Sequence, residues 1–387
     1  MNYGAIGTRW PTFATSPDRY PRKWLEDFLR ERFPAMVRFV TRISATMPSR
    51  TIRAALAATL TSVVAASTLL VSSPATADEL PKVGITSPGG SSLVSVNESG
   101  PQQLEIVVHS ASMDRDIPIS VLLPKDRSVP RPTLYLLNGA GGGEDAANWQ
   151  AKTDIVGFFK NKNVNVITPN SGAFSYYTDW QADDPELGRN KWSTFLGKEL
   201  PPIIDEALDT NGRNSIAGIS SSATSVLNLA IEHQGLYQSV GSYSGCASTA
   251  SQLGETYIRI TVEGRGGGDA TNMWGPYGGP GWIANDAIIN APKLRGQTLY
   301  ISNATGLPGQ YDSLAYTKDP ASLADQIILG GGIEAATGVC TALLVDRLNR
   351  LNIPATYDFP PAGTHSWHYW EDQLHKSWPT LAKPLGL

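Results

Sequence analysis

The stretch Ser215-Ile216-Ala217-Gly218-Ile219-Ser220-Ser221-Ser222, followed by the helically spaced residues 223–233, decides the fold. The apolar residues before Gly218 predict a short buried strand, and the small residues after it predict a tight turn into a helix. This G-x-S-x-S pattern resembles the nucleophile elbow G-x-S-x-G, with a small serine at the last position. We therefore predict that Ser220 is a nucleophile at the carboxyl edge of a sheet. The alternative is a serine-rich helix cap.

Apolar strands and helices alternate on both sides of this stretch. The patterns predict strands at 104–109, 117–123, 133–137, 164–168, 240–244, 298–302 and 355–359, and helices at 198–208, 223–233 and 334–349. Such alternation indicates an α/β protein whose mainly parallel sheet is flanked by helices. Residues 84–98 are predicted to be a leading loop, and the Gly-rich residues 247–297 an irregular insertion near the site. We expect a single domain over 78–387.

A serine nucleophile needs a histidine base and a carboxylate that orients the histidine. Of the five histidines, His365 lies in a loop just after the last predicted strand, which is where an α/β-hydrolase presents its base. The acid should precede it in the chain, and spacing alone does not choose among four candidates: Asp312, Asp319, Asp325 and Glu334.

Two backbone N–H groups are needed to stabilise an oxyanion. One is predicted at Ser221, directly after the nucleophile, and the other in the Gly-rich loop after strand 133–137, most simply at Ala140. A phosphate-binding loop is the alternative for these glycines. It is disfavoured because no G-K-[ST] follows and Glu144-Asp145 would repel phosphate.

The N-terminal region has the layout of a secretory signal. A short basic stretch at 47–53 precedes the uncharged apolar residues 54–71, and Ala75-Thr76-Ala77 forms an A-x-A cleavage pattern before Asp78. We predict a signal peptide over 47–77, cleavage near Ala77–Asp78, and a secreted or cell-envelope protein. A retained membrane anchor is the alternative. Residues 1–46 are predicted to be upstream sequence or an unstructured leader.

Charge and cysteine content exclude several classes of protein. The chain of 387 residues has a formal net charge of −4, which argues against a broad nucleic-acid surface. Residues 78–387 hold 21 basic and 31 acidic residues, so the body of the protein is more acidic than the total suggests. Two cysteines are too few for a disulfide scaffold or a four-cysteine zinc site.

Several blocks of sequence resemble the mycolyltransferases, the family of the mycobacterial antigen 85 proteins and their corynebacterial relatives. The similarity covers roughly residues 100–385. Its blocks are Met113-Asp114-Arg115-Asp116-Ile117, Leu134-Tyr135-Leu136-Leu137-Asn138-Gly139, Phe174-Ser175-Tyr176-Tyr177-Thr178-Asp179-Trp180, Lys191-Trp192-Ser193-Thr194-Phe195-Leu196, Gly218-Ile219-Ser220, Met273-Trp274-Gly275-Pro276 and Gly363-Thr364-His365-Ser366-Trp367-His368-Tyr369-Trp370.

The resemblance implies an α/β-hydrolase fold and a Ser–Glu–His triad. By position, the triad is Ser220, Glu334 and His365, with oxyanion donors at Ser221 and Ala140. The resemblance also predicts substrate-binding positions at Asn138, Gly141, Trp274 and Trp367. Asn138 and Gly141 replace an Asp and an Arg that help to bind trehalose in the mycobacterial proteins, so the trehalose contacts are expected to differ here.

The activity implied is transfer of a mycolyl or corynomycolyl chain from a trehalose monoester to a hydroxyl acceptor. The acceptor is a second glycolipid, the cell-wall arabinogalactan or a protein, and the chemistry needs no metal or cofactor. Neither a nucleic acid nor an obligate protein partner is expected. A secreted carboxylesterase with the same triad is the main alternative, and a non-catalytic cell-wall binding protein is a further one.

The two cysteines fit the same picture of an exported protein. Cys246 follows the strand after the nucleophile helix, and Cys340 lies six residues beyond Glu334. Because oxidising compartments favour disulfides, we predict a Cys246–Cys340 bond beside the active site. Two separate buried thiols are the alternative.

Overall fold

The computed structural model describes residues 80–387, which belong to one compact unit. The leader at 1–46, the signal peptide at 47–77 and the cleavage site near Ala77–Asp78 lie outside the described residues. Nine strands form one sheet: β1 Ser92–Gly100, β2 Gln103–Ser110, β3 Arg115–Leu122, β4 Arg131–Leu137, β5 Asn165–Pro169, β6 Thr210–Ile219, β7 Tyr237–Tyr243, β8 Thr298–Ser302 and β9 Thr356–Asp358.

The strands are ordered β1-β2-β3-β5-β4-β6-β7-β8-β9 across the sheet. β1, β2, β3 and β5 pair antiparallel, whereas every pair from β5 through β4 to β9 is parallel. The central strand β6 therefore ends at the carboxyl edge of the parallel region, where sheets of this type place their sites. The predicted mainly parallel α/β-hydrolase sheet is confirmed.

Helices connect the strands and cover the sheet. The α-helices are α1 Trp149–Lys152, α2 Ile155–Phe159, α3 Trp192–Thr194, α4 Leu200–Leu208, α5 Ser221–Glu232, α6 Gln252–Arg259, α7 Ala270–Trp274, α8 Pro280–Ala284, α9 Leu314–Thr317, α10 Pro320–Asp325, α11 Gly331–Arg350 and α12 Trp367–Ala382. π-Helical turns at Phe195–Glu199, Ile260–Arg265 and Gln326–Gly330 extend three of these helices, and 3₁₀ turns occupy Ala291–Leu294 and Lys383–Leu385.

The core lies on both faces of the sheet because successive strand residues point in opposite directions. On β4, Tyr135 and Leu137 belong to one buried apolar cluster, and Leu134 and Leu136 belong to the other. Helix α5 packs its apolar face into the first cluster, whereas α12 contributes to the second. Two-sided burial explains why β4 is an almost continuous apolar run.

Two predictions about the fold are wrong. The predicted leading loop at 84–98 contains β1, which pairs antiparallel with β2 and is bulged near Ser95 and Gly100. Its Gly- and Ser-rich surroundings hide the strand, because an edge strand is held by its neighbour more than by its own propensity. The predicted irregular insertion at 247–297 is largely helical. It is anchored by a third apolar cluster that includes Trp180, Trp274 and Trp282.

Candidate active site

Ser220 lies at the sharp turn between β6 and α5. Its φ of 57° and ψ of −123° are strained for a residue with a side chain. The turn requires glycine two residues earlier, because a Cβ on Gly218 would lie 2.6 Å from Ser222 Oγ and 2.8 Å from the Ser222 carbonyl oxygen. Ser220 stands at the N-cap position of α5, yet its side chain makes no capping hydrogen bond. The helix-cap alternative therefore does not describe it.

Ser222 explains how serine can replace the last glycine of the elbow pattern. Its hydroxyl accepts a hydrogen bond from the Ile219 N–H and donates one to the Ile219 carbonyl, both at 2.9 Å. The Ser222 side chain therefore folds back on the turn and stabilises it through these two hydrogen bonds. Ser222 is buried, so its side chain supports the turn from inside the protein.

Ser220, His365 and Glu334 are brought together at the carboxyl edge of the sheet. The Ser220 Oγ and His365 Nε2 are 2.8 Å apart, and His365 Nδ1 lies 2.8 Å from Glu334 Oε2. The histidine side chain is 8% exposed and the glutamate 1%. This is the hydrogen-bonded order of nucleophile, base and orienting acid that serine acyl transfer requires.

Glu334 is held by more than the histidine. Its second oxygen, Oε1, accepts hydrogen bonds from Ser244 Oγ at 2.8 Å and from the Ala304 N–H at 2.7 Å. Trp370 donates through Nε1 to Ser244 Oγ and sets its ring edge-on to His365, with centroids 4.8 Å apart. These contacts leave the carboxylate in one orientation, with Oε2 directed at the imidazole.

Sequence reasoning assigned no role to Ser244, Ala304 or Trp370. A signal was available for the first, because Ser244 ends a predicted parallel strand at the edge where the nucleophile was expected. Ala304 contributes only its backbone amide to the hydrogen bond with Glu334, so its residue type could not predict this role. Trp370 belongs to the most distinctive block of the sequence, residues 363–370. The sequence of that block does not show which of its aromatic rings pack inside the protein and which face a substrate.

Asp312, one of the four candidate acids, holds the histidine loop instead of the imidazole. Its Oδ1 accepts hydrogen bonds from Thr364 Oγ1 and Gln326 Nε2, and its Oδ2 accepts them from the Tyr369 hydroxyl and the Gly309 N–H, at 2.6–2.7 Å. Burial acts to raise the pKa of Asp312, but these hydrogen bonds together hold its pKa below the ordinary value. Asp319 caps α10 through Ser322, and Asp325 is exposed.

The predicted oxyanion loop lies beside the nucleophile. A Cβ on Gly139 would come within 3.7 Å of the Ser220 Cβ. The Ala140 carbonyl accepts a hydrogen bond from the Phe174 N–H at 2.7 Å, which fixes the peptide direction at this point. Ser221 is the first residue of α5, where N–H groups have no acceptor within the helix. Both segments are thus close to Ser220 and locally fixed.

Tyr257 is a further neighbour of the nucleophile that the sequence did not predict. It lies on α6 of the insertion, and its side chain is close to that of Ser220. Burial raises the pKa of Tyr257 well above its usual range, and the nearby Ser220 hydroxyl offsets only part of that rise. The phenol therefore stays protonated and can donate to Ser220 Oγ while that oxygen donates to His365.

Two of the predicted substrate-binding residues, Asn138 and Trp274, have buried side chains that face other protein groups. Asn138 is 0% exposed and donates to the Pro169 carbonyl at 3.0 Å. Its Oδ1 also accepts from the Trp149 N–H. Trp274 is 2% exposed and donates to Thr178 Oγ1 at 3.2 Å. Each side chain forms a buried hydrogen bond within the protein, so a substrate contact at either position stays a prediction.

The other two predicted substrate positions lie nearer the surface. Gly141 is half-buried, and a Cβ there would lie 2.7 Å from an Asp145 carboxylate oxygen. Trp367 begins α12 and is half-buried, with its ring edge-on to Trp149 at 5.5 Å and to Trp370 at 5.4 Å. Of the four, only Trp367 has a large, partly accessible side chain beside the histidine loop.

Cys246 and Cys340 form a disulfide bond, and the described part of the chain has no free cysteine. The bond joins the segment after β7 to α11. It lies two residues beyond Ser244 and six beyond Glu334 along the chain, so it ties together the two segments that form the Ser244–Glu334 hydrogen bond. The predicted pairing is therefore present, and the alternative of two separate thiols is not.

The remaining histidines have structural partners. His109 contacts Asp116, His233 contacts Ser193, His368 lies near Glu371, and His375 stacks on Phe158. Within residues 80–387, no group of three or more His, Cys, Asp or Glu side chains is placed to hold a metal ion.

Comparison with known proteins identifies the family of the chain. Residues 110–381 match the family model described as a putative esterase. The fold and the site thus place the chain in the class of α/β-hydrolase-fold esterases and acyltransferases.

The similar curated proteins are more specific. The chain is 31% identical over 285 residues to the diacylglycerol acyltransferase/mycolyltransferase Ag85A of Mycobacterium leprae, covering 72% of this chain and 82% of that protein. It is 30% identical to Ag85B of Mycobacterium intracellulare, with coverage of 72% and 82%. The chain belongs to the mycolyltransferase family and is an enzyme of the acyltransferase or esterase type.

Solved structures show the same fold. The crystal structure of Mycobacterium tuberculosis MPT51 (FbpC1) superposes with a TM-score of 0.60 at 24% identity, covering 71% of this chain and 96% of that one. An S-formylglutathione hydrolase from Agrobacterium tumefaciens gives a TM-score of 0.50 at 14% identity, covering 74% of this chain and 98% of that one.

Proposed function

We propose that this protein is a secreted mycolyltransferase. It moves a mycolyl or corynomycolyl chain from a trehalose monoester to an acceptor hydroxyl through an acyl-enzyme on Ser220. The observation that carries the proposal is the continuous hydrogen-bonded path from Ser220 Oγ through His365 to Glu334, with both distances at 2.8 Å. Membership of the mycolyltransferase family supports the choice of acyl group.

In the first step, Ser220 Oγ attacks the carbonyl carbon of the mycolyl ester while His365 Nε2 takes the serine proton. Glu334 holds the imidazole with Nδ1 protonated and stabilises the imidazolium that forms. The backbone N–H groups of Ser221 and Ala140 are the proposed donors to the tetrahedral oxyanion. Collapse of that intermediate breaks the ester C–O bond, and trehalose leaves with the proton from His365.

In the second step, an acceptor hydroxyl replaces trehalose. His365 removes its proton as its oxygen attacks the acyl-enzyme, and the proton returns to Ser220 when the product leaves. The acceptor is a second trehalose monoester, arabinogalactan or a protein hydroxyl. Every proton and bond in both steps is handled by side chains and backbone groups, so the proposal involves no metal or cofactor.

The sugar subsite is expected to differ from that of the mycobacterial relatives. Asn138 is buried and engaged with Pro169 and Trp149, and Gly141 has no side chain. Sugar contacts at this point would therefore come from backbone groups of the 139–141 loop, with Trp367 as the accessible aromatic surface next to the histidine.

Carboxylesterase activity is the second candidate, because the matched family is named for esterases. Transfer and hydrolysis share the acyl-enzyme and differ only in whether water or a hydroxyl acceptor attacks it. Incubation with a trehalose monoester carrying a labelled acyl chain separates them. Labelled trehalose diester supports transfer, whereas free acid as the only product supports the esterase. A non-catalytic binding protein would give neither.

The nucleophile is tested by Ser220→Ala. We expect turnover to fall by at least roughly 10³-fold, because removing the nucleophile removes the acyl-enzyme route. The matched control is Ser128→Ala, an exposed serine in the turn before β4, which should keep wild-type turnover. Unchanged turnover in Ser220→Ala would contradict the acyl-enzyme mechanism.

Export is part of the proposal and has its own test. The layout at 47–77 predicts that the secreted protein begins near Asp78. N-terminal sequencing of protein recovered from the medium of an actinobacterial host checks this. A medium without the protein, or a membrane-bound product that still carries residues 54–71, contradicts it.

A further inference from the structure

The solvent-facing side of helix α11 and of the π-helical turn before it is entirely aliphatic. Between Asp325 and Asp346, the exposed residues are Ile328, Leu329, Ala335, Val339, Ala342 and Leu343, which we call the aliphatic stripe. The only charged residue between these two aspartates is Glu334, which is buried and faces His365. At 1.5 Å per residue, the stripe is about 22 Å long.

The exposure of these side chains is large for their type. Ile328 is 50% exposed, Leu329 55%, Val339 55% and Leu343 45%. By length and composition, Pro320–Arg350 is the one helical stretch of the described chain that could span a membrane, yet its inner side carries Glu334 and packs into the protein. A helix on the surface of a globular protein normally carries charged residues on its outer face. The exposed apolar face of α11 therefore indicates a surface that binds a partner.

The stripe continues to the catalytic loop. A Cβ on Gly306 would lie 3.2 Å from the Ala335 Cβ, and the neighbouring Leu307 is 62% exposed. The Leu307 carbonyl accepts a hydrogen bond from the Gly363 N–H at 2.7 Å, two residues before His365. One aliphatic surface therefore extends from the outside of α11 to the loop that carries the histidine.

We propose that the aliphatic stripe docks the enzyme on a lipid surface with uncharged or zwitterionic headgroups, with α11 lying along that surface. This rests on the proposed function, in which the acyl donor is a lipid. Docking by this face would bring the helix that carries Glu334, and the adjoining histidine loop, to the layer that holds the substrate.

The chemistry of the stripe favours lipid over a protein partner. Its six exposed side chains offer no hydrogen-bond donor or acceptor and no aromatic ring. Protein interfaces form about one hydrogen bond per 100–200 Å² and are anchored by Trp, Tyr and Arg. Hydrocarbon offers no hydrogen bonds and requires none, so it matches this surface. A second copy of the chain is the competing occupant, and it would make the state of the stripe depend on protein concentration.

Charge selects the type of lipid. Residues 78–387 hold 21 basic and 31 acidic residues, so an anionic surface would repel the body of the enzyme. The cations near the end of the stripe are engaged: Arg350 pairs with Asp346, and Arg347 donates to the Ile288 carbonyl at 3.3 Å. Neither provides a free basic patch for anionic headgroups.

A local probe tests the docking in the full chain. Both native cysteines are in the disulfide, so Val339→Cys can be labelled selectively with an environment-sensitive nitrobenzoxadiazole dye. Phosphatidylcholine vesicles should shift the emission to the blue and raise its intensity several-fold, with a smaller response to phosphatidylglycerol vesicles. Because the probe reports only its own surroundings, any lipid contact made by residues 54–71 does not mimic this result.

The matched control is the same label at Val129→Cys. Val129 is 51% exposed and lies just before β4, at the amino end of that strand and outside the aliphatic stripe, so its emission should not change. Adding Leu343→Glu to the labelled Val339→Cys protein should abolish the vesicle response, because it places a charge in the stripe. Circular dichroism and hydrolysis of a soluble short-chain ester check that each variant is folded.

Three results would overturn the docking proposal. They are an unchanged emission at 339, an equal shift at 129, and a blue shift that grows with protein concentration without vesicles, which would assign the stripe to self-association. The proposed function fails independently: if the unlabelled enzyme transfers no acyl chain from trehalose monoester, its vesicle response still decides the docking.

Discussion

At the residue scale, the site depends on how the hydroxyl of Ser220 is surrounded. His365 Nε2 lies 2.8 Å from its oxygen, and the protonated Tyr257 hydroxyl is a further polar neighbour. We expect the Tyr257 hydroxyl to donate to Ser220 Oγ during the reaction, which would leave the serine proton directed at His365. The same donor would stabilise negative charge as it develops on the oxygen during attack.

Tyr257→Phe removes only this donor. We expect kcat on a soluble ester to fall by roughly 3–10-fold with little change in KM, since a hydrogen bond of this type contributes about 1 kcal/mol. Steady-state kinetics measures it. Tyr316→Phe, an exposed tyrosine on α9, is the matched control and should behave as wild type. A rise in KM at constant kcat would assign Tyr257 to substrate binding.

At the element scale, the histidine loop after β9 is held from outside by the segment 306–312. Asp312 accepts two of its four hydrogen bonds from Thr364 and Tyr369, on either side of His365 in sequence. Backbone bonds from Gly306 to Gly363 and from Gly363 to Leu307 add to these contacts. The position of the base is thus set by a loop that contributes no group to the triad.

Asp312→Asn tests this clamp, because an amide cannot accept all four hydrogen bonds. The pKa of Asp312 is lowered in the folded protein, so its stabilisation is present above the ordinary pKa and is lost as the pH falls through the lower folded value. Wild type should exceed the variant by about 1–2 kcal/mol in unfolding free energy at pH 7, since the carboxylate is partly exposed to water. This difference should shrink below about pH 4. Urea unfolding across this pH range measures it.

The control for the clamp is Asp319→Asn. Asp319 also has a lowered pKa from local hydrogen bonds, but it caps α10 and does not contact the histidine loop. Both variants should lose some stability, and only Asp312→Asn should also lose ester turnover. Equal turnover in the two variants would mean that the loop keeps His365 in place without Asp312.

At the scale of the whole molecule, the disulfide closes one long covalent loop. Cys246 and Cys340 are separated by 94 residues, which include β8 and the segment that carries Asp312 and Glu334. Closing a loop of this length lowers the entropy of the unfolded chain by an amount that corresponds to at most roughly 4–5 kcal/mol. The bond is therefore expected to stabilise the whole fold and not only the neighbourhood of Glu334.

Replacing both cysteines by alanine should lower the free energy of unfolding by up to that amount. Urea denaturation of the oxidised wild type and the double variant gives the difference. In reductant, the free energy of unfolding of the wild type should approach that of the variant. Reductant should not change the free energy of unfolding of the variant. A difference below about 1 kcal/mol would contradict the entropic account. Intact-mass measurement with and without reductant should show the 2 Da change expected for one bond.

Local sequence determined much of the fold. The strand–turn–helix pattern around Gly218 and Ser220 predicted the elbow, because only small residues fit where a Cβ would meet Ser222. The two-sided apolar strands predicted a buried parallel sheet. The edge strand β1 was missed, since its pairing with β2 outweighs its weak propensity.

The sequence by itself determined the nucleophile turn, the parallel sheet, the late histidine and the family, because each depends on residue types at short spacings. The spacing of the acids left Glu334 and Asp312 open, the family resemblance chose Glu334, and the tertiary structure places Glu334 against the histidine. Only the tertiary structure brought Tyr257 and Ser244 to the site and buried Asn138 and Trp274. Those outcomes depend on contacts between segments tens of residues apart. Local periodicity carries no information about which of several polar side chains a distant loop will meet.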